Sequence, residues 1–495
     1  MHTAWFRELC SYSESYICNQ LKLTSEEGRS IITRLQNSNI LRRVKKSNSL
    51  DGDVTLEDIN EILTDDNRYF TFTFVGILML NDVVIRCYPK YLKNVTSSSL
   101  PTQFNIILSV IRKYEKNKEQ KIYLGASSRN SLKSLSLLSI VLEIIEQYRK
   151  TGFYQVQETV EEINGMGDIN WERTVHETQT LISHGRPFYP NMYTKQNVWD
   201  DLNFFYCLHK CIISECFDLI EKADLATFVG IQGRYSSDIR RNSLGSDEFL
   251  LRRIEQELTR QFITSKRHIL QLMQLYLLRQ GVRRQSKLYF YGTTTMNLIW
   301  EAACGEVLGN QLQLKFTEKN FPELASKKIN SFSAKGKTLL QMIDRPEWVS
   351  NGFLHGIKKD TLIPDCIRIR NDQNDQLTFC IYDAKYYNVV FNSNAVSGQP
   401  GIESVTKQYL YHMAYYKLLE YFEINNVQNI FLFPSESASR WLGHVTLPLL
   451  KNVTGTDILA LALDATKVFQ YYLDDKELPI KEVFYNRYTY ESPAS

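Results

Sequence analysis

The spacing of apolar positions changes period several times along the 495 residues. Near the N-terminus, Leu23-Thr24-Ser25-Glu26-Glu27 offers hydroxyls that can cap free N–H groups at a helix start. Ile31, Ile32, Leu35 and Ile40-Leu41 then supply an apolar face. Residues 1–48 are therefore expected to be a helical segment, winged-helix-like in outline or a simple helix pair, ending in the basic run Arg42-Arg43-Val44-Lys45-Lys46. The polar stretch 47–53 reads as a linker. From Tyr69 the period drops to two, with Phe70, Phe72 and Phe74 alternating with threonines. The chain then runs into apolar residues 75–80, turns at Asn81-Asp82 and returns as a second strand over 83–88. Helical spacing takes over between about 103 and 150 (Ile106, Ile107, Val110, Ile111, Leu137, Leu138, Val141, Ile144, Ile145) and again over about 198–220 and 249–279. Beyond Tyr289 the pattern alternates: a helix, strands near 363–383, a helix over about 404–421, and strands near 430–433 and 444–447.

Composition narrows the classes. With 43% hydrophobic and 23% charged residues the chain is ordinary folded protein, and its length implies more than one domain. No apolar run approaches the roughly 18 residues of a membrane span, and Met1-His2-Thr3-Ala4-Trp5 lacks a secretory leader's layout. Nine scattered cysteines suit reduced thiols and a cytoplasmic location. Cys207, His209, Cys211 and Cys216 share a helical stretch with no standard zinc spacing; they read as buried small residues, and no metal is assigned there. Net charge is only +3, but between Arg240 and Lys287 eleven basic residues face four acidic ones. That stripe, which includes Arg283 and Arg284, is either a phosphate-contacting surface or a solvated helix face.

The chemistry-bearing stretch is Leu362-Ile363-Pro364-Asp365-Cys366-Ile367-Arg368, followed after a polar turn by Phe379-Cys380-Ile381-Tyr382-Asp383-Ala384-Lys385. Two apolar strands around a turn form a hairpin. Asp365 opens the first strand, and Asp383 and Lys385, two apart, leave the second on one face. Hydrolysis of a phosphodiester calls for a cation to offset phosphoryl charge and acidify a water. Magnesium takes hard oxygen ligands and keeps several waters, so Asp365, Asp383 and the Ala384 carbonyl suffice to hold it, while Lys385 can hold the water or stabilise developing charge. Other acid-x-lysine triplets, Glu119-Gln120-Lys121 and Asp474-Asp475-Lys476, lack a preceding Pro-Asp strand at hairpin distance. The competing reading of Asp383 and Lys385 is an edge-strand ion pair. Glu301, on the apolar stripe of the helix around Met296–Glu306, is an auxiliary ligand or one half of a buried salt bridge. Lys407 and Gln408, entering the next helix, are either contacts to a phosphate or the attacking water, or a solvated edge.

Pro364-Asp365 with Asp383-Ala384-Lys385 resembles the PD-(D/E)xK nuclease superfamily. A longer ordered series resembles, more narrowly, the LlaJI family of restriction endonucleases, relatives of the McrC nuclease subunit: Phe74-Val75-Gly76-Ile77 with Cys87-Tyr88-Pro89-Lys90-Tyr91; Gly165-Met166-Gly167-Asp168-Ile169-Asn170-Trp171 with Arg173-Thr174; Trp300-Glu301; the hairpin; and Gly401-Ile402-Glu403 with Lys407-Gln408. The resemblance implies an α/β chain, α+β overall. Its C-terminal restriction-endonuclease-like core would have a central mixed sheet flanked by helices, preceded by a β-rich partner-binding region and a helical middle region. The segments so implied are 1–48, 49–240 for partner binding, 241–288 as a basic helical connector, and 289–495 as the nuclease. It further implies a Mg²⁺-dependent deoxyribonuclease, with Mn²⁺ able to substitute. Double-stranded DNA would be the substrate and a McrB-like AAA+ GTPase the partner, in defence against foreign DNA such as phage. The chain has no phosphate-binding nucleotide loop of its own: Gly336-Lys337-Thr338 has Ser331 where the first glycine belongs, so no bound nucleotide is expected. Aromatics 69–74 with Arg86 and Lys90 could serve the partner or simply form β-core. Two further functions stay open at this point, a non-cutting adaptor that activates a partner ATPase or GTPase, and a stand-alone DNA repair nuclease.

Overall fold

In the computed structural model of the chain, the described residues are 2–45, 69–80, 83–123, 137–231, 233, 235–282, 288–351, 353–357, 361–371, 375–391 and 396–479. The predicted linker at 47–53, the turn Asn81-Asp82, and Arg283 and Arg284 lie outside them. The chain mixes helices with several sheets and forms two compact units. One comprises Leu78–Val84 and Ser127–Tyr291, with Met1; the other comprises His2–Ile77, Ile85–Ala126 and Gly292–Ser495.

In the first of these units, helices Leu137–Thr151, Phe204–Lys222, Asp247–Arg260 and Thr264–Val282 supply the core. The helical reading from 198 is corrected at its start: Tyr193–Trp199 is a strand, antiparallel to Gln157–Ile163, and the helix begins only after Asn203, whose Oδ1 accepts from the Phe205 and Tyr206 N–H groups. The likewise continuous reading of 249–279 is two helices, because the chain extends at Gln261. Cys207, His209, Cys211 and Cys216 are buried on Phe204–Lys222, and the His209 Nδ1 accepts from the Tyr154 N–H at 2.9 Å. Part of the basic stripe is used internally. Arg241 pairs with Glu215 and Asp247, and Arg267 donates to the Leu258 and Gln261 carbonyls. The strands at 157–199 carry apolar side chains into solvent, with Met166 and Ile182 about four-fifths exposed and Trp171 and Phe188 more than half exposed.

The second unit opens differently from the all-helical expectation. His2–Arg7 (β1) is a strand, with Ala4 and Phe6 buried on one side; the intervening Trp5 masks the alternation in sequence. Glu14–Leu21 (α1) and Ser25–Asn37 (α2) follow. Thr24 and Glu27 form a reciprocal capping box at the predicted start of α2. Leu41–Val44 (β2) then pairs with Tyr69–Phe72 (β3), so the basic run after α2 lies on an edge strand, with Leu41 and Val44 buried at its ends and Arg42 and Arg43 exposed between them. Val75–Leu80 (β4) and Val83–Tyr88 (β5) are the two strands their patterns imply, and Leu288–Thr293 (β6) is a further strand. The long helix Leu100–Tyr123 (α3) follows β5 in sequence.

The sheet that positions the chemistry has five strands. Met296–Val307 (α4) precedes the antiparallel hairpin Cys366–Asn371 (β7) and Leu377–Ala384 (β8). After Ile402–Ala414 (α5) and Tyr416–Tyr421 (α6) comes Asn426–Ser435 (β9), parallel to β8. Arg440–Val445 (β10), Ile458–Asp464 (β11) and Ala465–Leu473 (α7) complete the unit. The order is β7-β8-β9-β11-β10, with β11 parallel to β9 and antiparallel to β10. On one face Ile367, Ile369, Phe379 and Ile381 pack with Tyr411 and Tyr415. Helix α4 reaches the sheet through fully buried Trp300, whose ring meets Phe469 of α7 edge-on.

Candidate active site

Hairpin register places the acids. Cys366 pairs with Tyr382, so Asp365 and Asp383, one step further along, leave the sheet side by side at the end of the ribbon. The Asp365 Oδ2 accepts from the Ala384 N–H at 2.8 Å, closing the hairpin with a side chain where the ladder stops. Asp383 is buried, and its Oδ2 lies 2.6 Å from the Lys385 Nζ, so the two share a face as their spacing requires. Lys385 also donates its backbone N–H to the Leu432 carbonyl of β9 at 2.9 Å. The same carbonyl accepts the Trp300 indole N–H at 3.2 Å. One oxygen thus ties the strand end that carries Lys385 to the helix that carries Glu301.

Charges in this corner are mutually dependent. Burial, reinforced by the neighbouring Asp383 and Glu301 carboxylates, pushes the Asp365 carboxyl up to about 8. Burial and Asp383 also raise Glu301. For Lys385 burial works against the charge, but the Asp383 carboxylate outweighs it and raises the ammonium pKa. The crowding of three carboxyls leaves Asp365 holding a proton at neutral pH, a proton that a hard divalent cation would displace. Among the described residues no three His, Cys, Asp or Glu side chains form a complete metal-holding group. Asp365, Asp383 and the Ala384 carbonyl are hard oxygen donors of the kind magnesium takes.

The other sequence candidates fall around this corner. Glu301 lines the same cavity as Asp365 and Lys385, a space of about 550 Å³; a second cavity of about 910 Å³ also reaches Glu301 and Asp365. Lys407 is half exposed and pairs with Glu403 one turn earlier at 2.5 Å. Gln408 is not on a solvated edge. It is fully buried, its Nε2 donates to the Ile381 carbonyl of β8 at 3.3 Å, and its Oε1 has no partner. A side chain so enclosed braces β8 through the Ile381 carbonyl. Tyr411, on the same helix, is raised by burial and then by the carboxylates of Asp383, Asp365 and Glu301, which puts that face of α5 within their field. Gly336 sits in a surface turn at φ +81°, as its incomplete phosphate-loop pattern suggests.

Sequence reasoning missed the N-terminal wall of the smaller cavity. Glu8, Leu9, Asn39, Arg42, Thr73 and Lys90 line it opposite Asp365, Ala384 and Lys385. The buried Glu8 carboxylate accepts from the Tyr386 phenol at 2.7 Å and, more weakly, from the Lys90 N–H at 3.4 Å. The Lys90 ammonium lies 4.8 Å from the Tyr386 ring centre and 5.4 Å from that of Tyr387. The available signal was Tyr386-Tyr387 directly after the Asp-Ala-Lys triplet, two aromatics in a place where a strand should end.

Comparison with known proteins places these features in a lineage. The model of the family described as LlaJI restriction endonuclease matches residues 74–322 and 323–469. The chain is 26% identical over 449 residues to component YdjA of the type II restriction enzyme BsuMI from Bacillus subtilis (strain 168), covering 88% of each protein. Among solved structures it is similar to a chain of the Thermococcus gammatolerans half-complex of McrB AAA+ hexamers with bound McrC. That match has a TM-score of 0.38 and 12% identity, over 96% of this chain and 99% of that one. A chain of the McrBC complex from the same organism matches with a TM-score of 0.25 and 13% identity, over 60% and 84%.

Proposed function

Because this chain belongs to the LlaJI restriction endonuclease family, we propose that it is the cutting subunit of a two-part, GTP-dependent restriction system and hydrolyses double-stranded DNA with Mg²⁺ at the corner of Asp365, Asp383 and Lys385. The observation that carries this reading is the convergence of these three side chains at one hairpin end, with the Asp365 carboxylate on the Ala384 N–H and Lys385 on Asp383. Held by Asp365, Asp383 and the Ala384 carbonyl, the ion supplies Lewis acidity toward a phosphoryl oxygen and a more acidic water. Lys385, already drawn to this corner by Asp383, orients the attacking water and offsets charge on the phosphorane-like transition state. Glu301 adds a third carboxylate on the cavity side and would serve as an auxiliary ligand. Trp300 fixes that carboxylate relative to the strand by anchoring α4 on Leu432.

For this chain a McrB-like GTPase is the proposed partner. The exposed apolar side chains of the 157–199 strands, among them Met166, Ile182 and Phe188, support a docking role for that portion. The test is a cleavage assay with the partner chain present, varying Mg²⁺, GTP and ATP separately, for the unmutated protein and for Asp383→Asn. Magnesium-dependent cutting that Asp383→Asn abolishes supports the proposal. Stimulated nucleotide hydrolysis without cutting would establish the adaptor function instead, and cutting without any partner would establish a stand-alone nuclease.

A further inference from the structure

The cavity that reaches the acids is lined on one side by residues from the first 90 of the chain, and this wall carries an exposed arginine. Arg42 lies on the edge of β2 and lines the 550 Å³ cavity together with Asp365 and Lys385. Among the described residues it has no ion pair and no side-chain hydrogen bond, whereas Lys90, on the same wall, is engaged with Glu8 and the Tyr386 and Tyr387 rings. Leu41 and Val44, at the two ends of the strand, are buried, and Arg42 is paired through its backbone with Thr71, so the position is held although the side chain is exposed. Asn39 and Thr73 extend the same wall with polar groups, and the Thr73 hydroxyl donates to the Asn39 carbonyl at 3.1 Å, which fixes the approach to β2.

A nucleic-acid strand advances about 3.4 Å per phosphate. A scissile phosphate at Asp365 and Asp383 would have a flanking phosphate on the same strand, and Arg42 is a cation on the wall of the same cavity. A guanidinium presents a fork of N–H donors matched to phosphate oxygens and stays charged at any working pH. Resting on the nuclease reading above, we infer that Arg42 binds the DNA phosphate next to the scissile one, so that the N-terminal segment forms half of the substrate-binding cleft. Arg42 is a binding residue here and takes no part in bond breaking.

The experiment uses full-length protein in two arms. The first measures steady-state cleavage of duplex DNA by the unmutated chain and by Arg42→Ala and Arg42→Lys, with the partner chain and Mg²⁺ present. The second measures binding of a fluorescent duplex to Asp383→Asn and to Asp383→Asn with Arg42→Ala across a potassium chloride series. Arg42→Ala is expected to raise KM several-fold with kcat nearly unchanged and to reduce the magnitude of the salt slope of log K by about one. Arg42→Lys keeps the slope and recovers part of the affinity. Unaltered KM and slope in Arg42→Ala, with normal cutting by the unmutated chain, would overturn this inference alone; absence of metal-dependent cutting by the unmutated chain would remove the nuclease reading and this inference with it.

Discussion

The Glu8 carboxylate accepts the Tyr386 phenol hydrogen at 2.7 Å, joining two residues 378 positions apart. Burial raises the Glu8 carboxyl, opposed by Lys90 and by the Tyr386 hydroxyl. Tyr386 follows Lys385 directly, so this bond holds the chain leaving β8 against the residue that follows β1. Tyr386→Phe leaves a buried carboxylate short of a donor, which costs about 1–3 kcal/mol. The expected results are a lower midpoint in thermal unfolding and reduced cleavage at a temperature where the variant is still folded. An unchanged midpoint would show that Glu8 finds another donor.

Asp365→Asn and Asp383→Asn are expected to fold and not to cut. Asparagine at 365 still offers an oxygen to the Ala384 N–H, and either change removes one of several mutually repelling buried carboxylates. Circular dichroism should match the unmutated chain. Cleavage should fall by about a thousand-fold or more, because several kcal/mol of transition-state stabilisation go with the ligand. Chelating the metal in the unmutated protein should reproduce the loss, and restoring Mg²⁺ should reverse it. Full cutting by either variant would refute the site assignment.

Trp300→Ala tests the shared carbonyl. The indole is fully buried against Phe469 and donates to Leu432. Its removal should cost about 3–5 kcal/mol, seen as a shift in urea midpoint. Trp300→Phe keeps most of the volume but loses the N–H. It should leave stability closer to normal while still lowering cleavage, because Glu301 and Lys385 then lose their common anchor. Equal activity in Trp300→Phe and the unmutated chain would mean the anchor has no effect on the site.

Acid sensitivity should come from His209. Burial holds its imidazole down to about 4 against an ordinary 6.5, and the neutral ring accepts from the Tyr154 N–H. Between those values the unfolded chain takes up a proton that the folded chain refuses. This contribution is therefore whole above pH 6.5, shrinks as pH falls, and is gone near pH 4, an effect of about 3 kcal/mol. Denaturant titrations from pH 7.5 to 4.5 check it. His209→Leu should lower stability at all pH values, through the unpaired Tyr154 N–H, while flattening the slope.

How much was readable in advance follows from local geometry. The hairpin around Asp365 and Asp383 could be read because its two strands are consecutive, so register and facing follow from a turn and a period of two. Helix α2 declared itself through Thr24 and Glu27. Strand β11 did not: Ile458-Leu459-Ala460-Leu461-Ala462-Leu463 is buried between β9 and β10 and shows no alternation, and an unbroken apolar run has no strand period to detect. Gln408 looked like a polar residue on a helix edge. Only the packing of α5 on β8 shows that the edge faces inward. The wall made by Glu8, Arg42 and Lys90 was out of reach for a related reason. Nothing in one stretch of chain states which distant stretch will cover it.

That covering wall also orders events during synthesis. The residues that frame the cavity leave the ribosome at both ends of a long interval, Glu8 early and Lys385 hundreds of codons later. A nascent chain therefore carries Glu8 without its phenol donor, and the wall meets the β7–β8 hairpin only once translation has passed Tyr386.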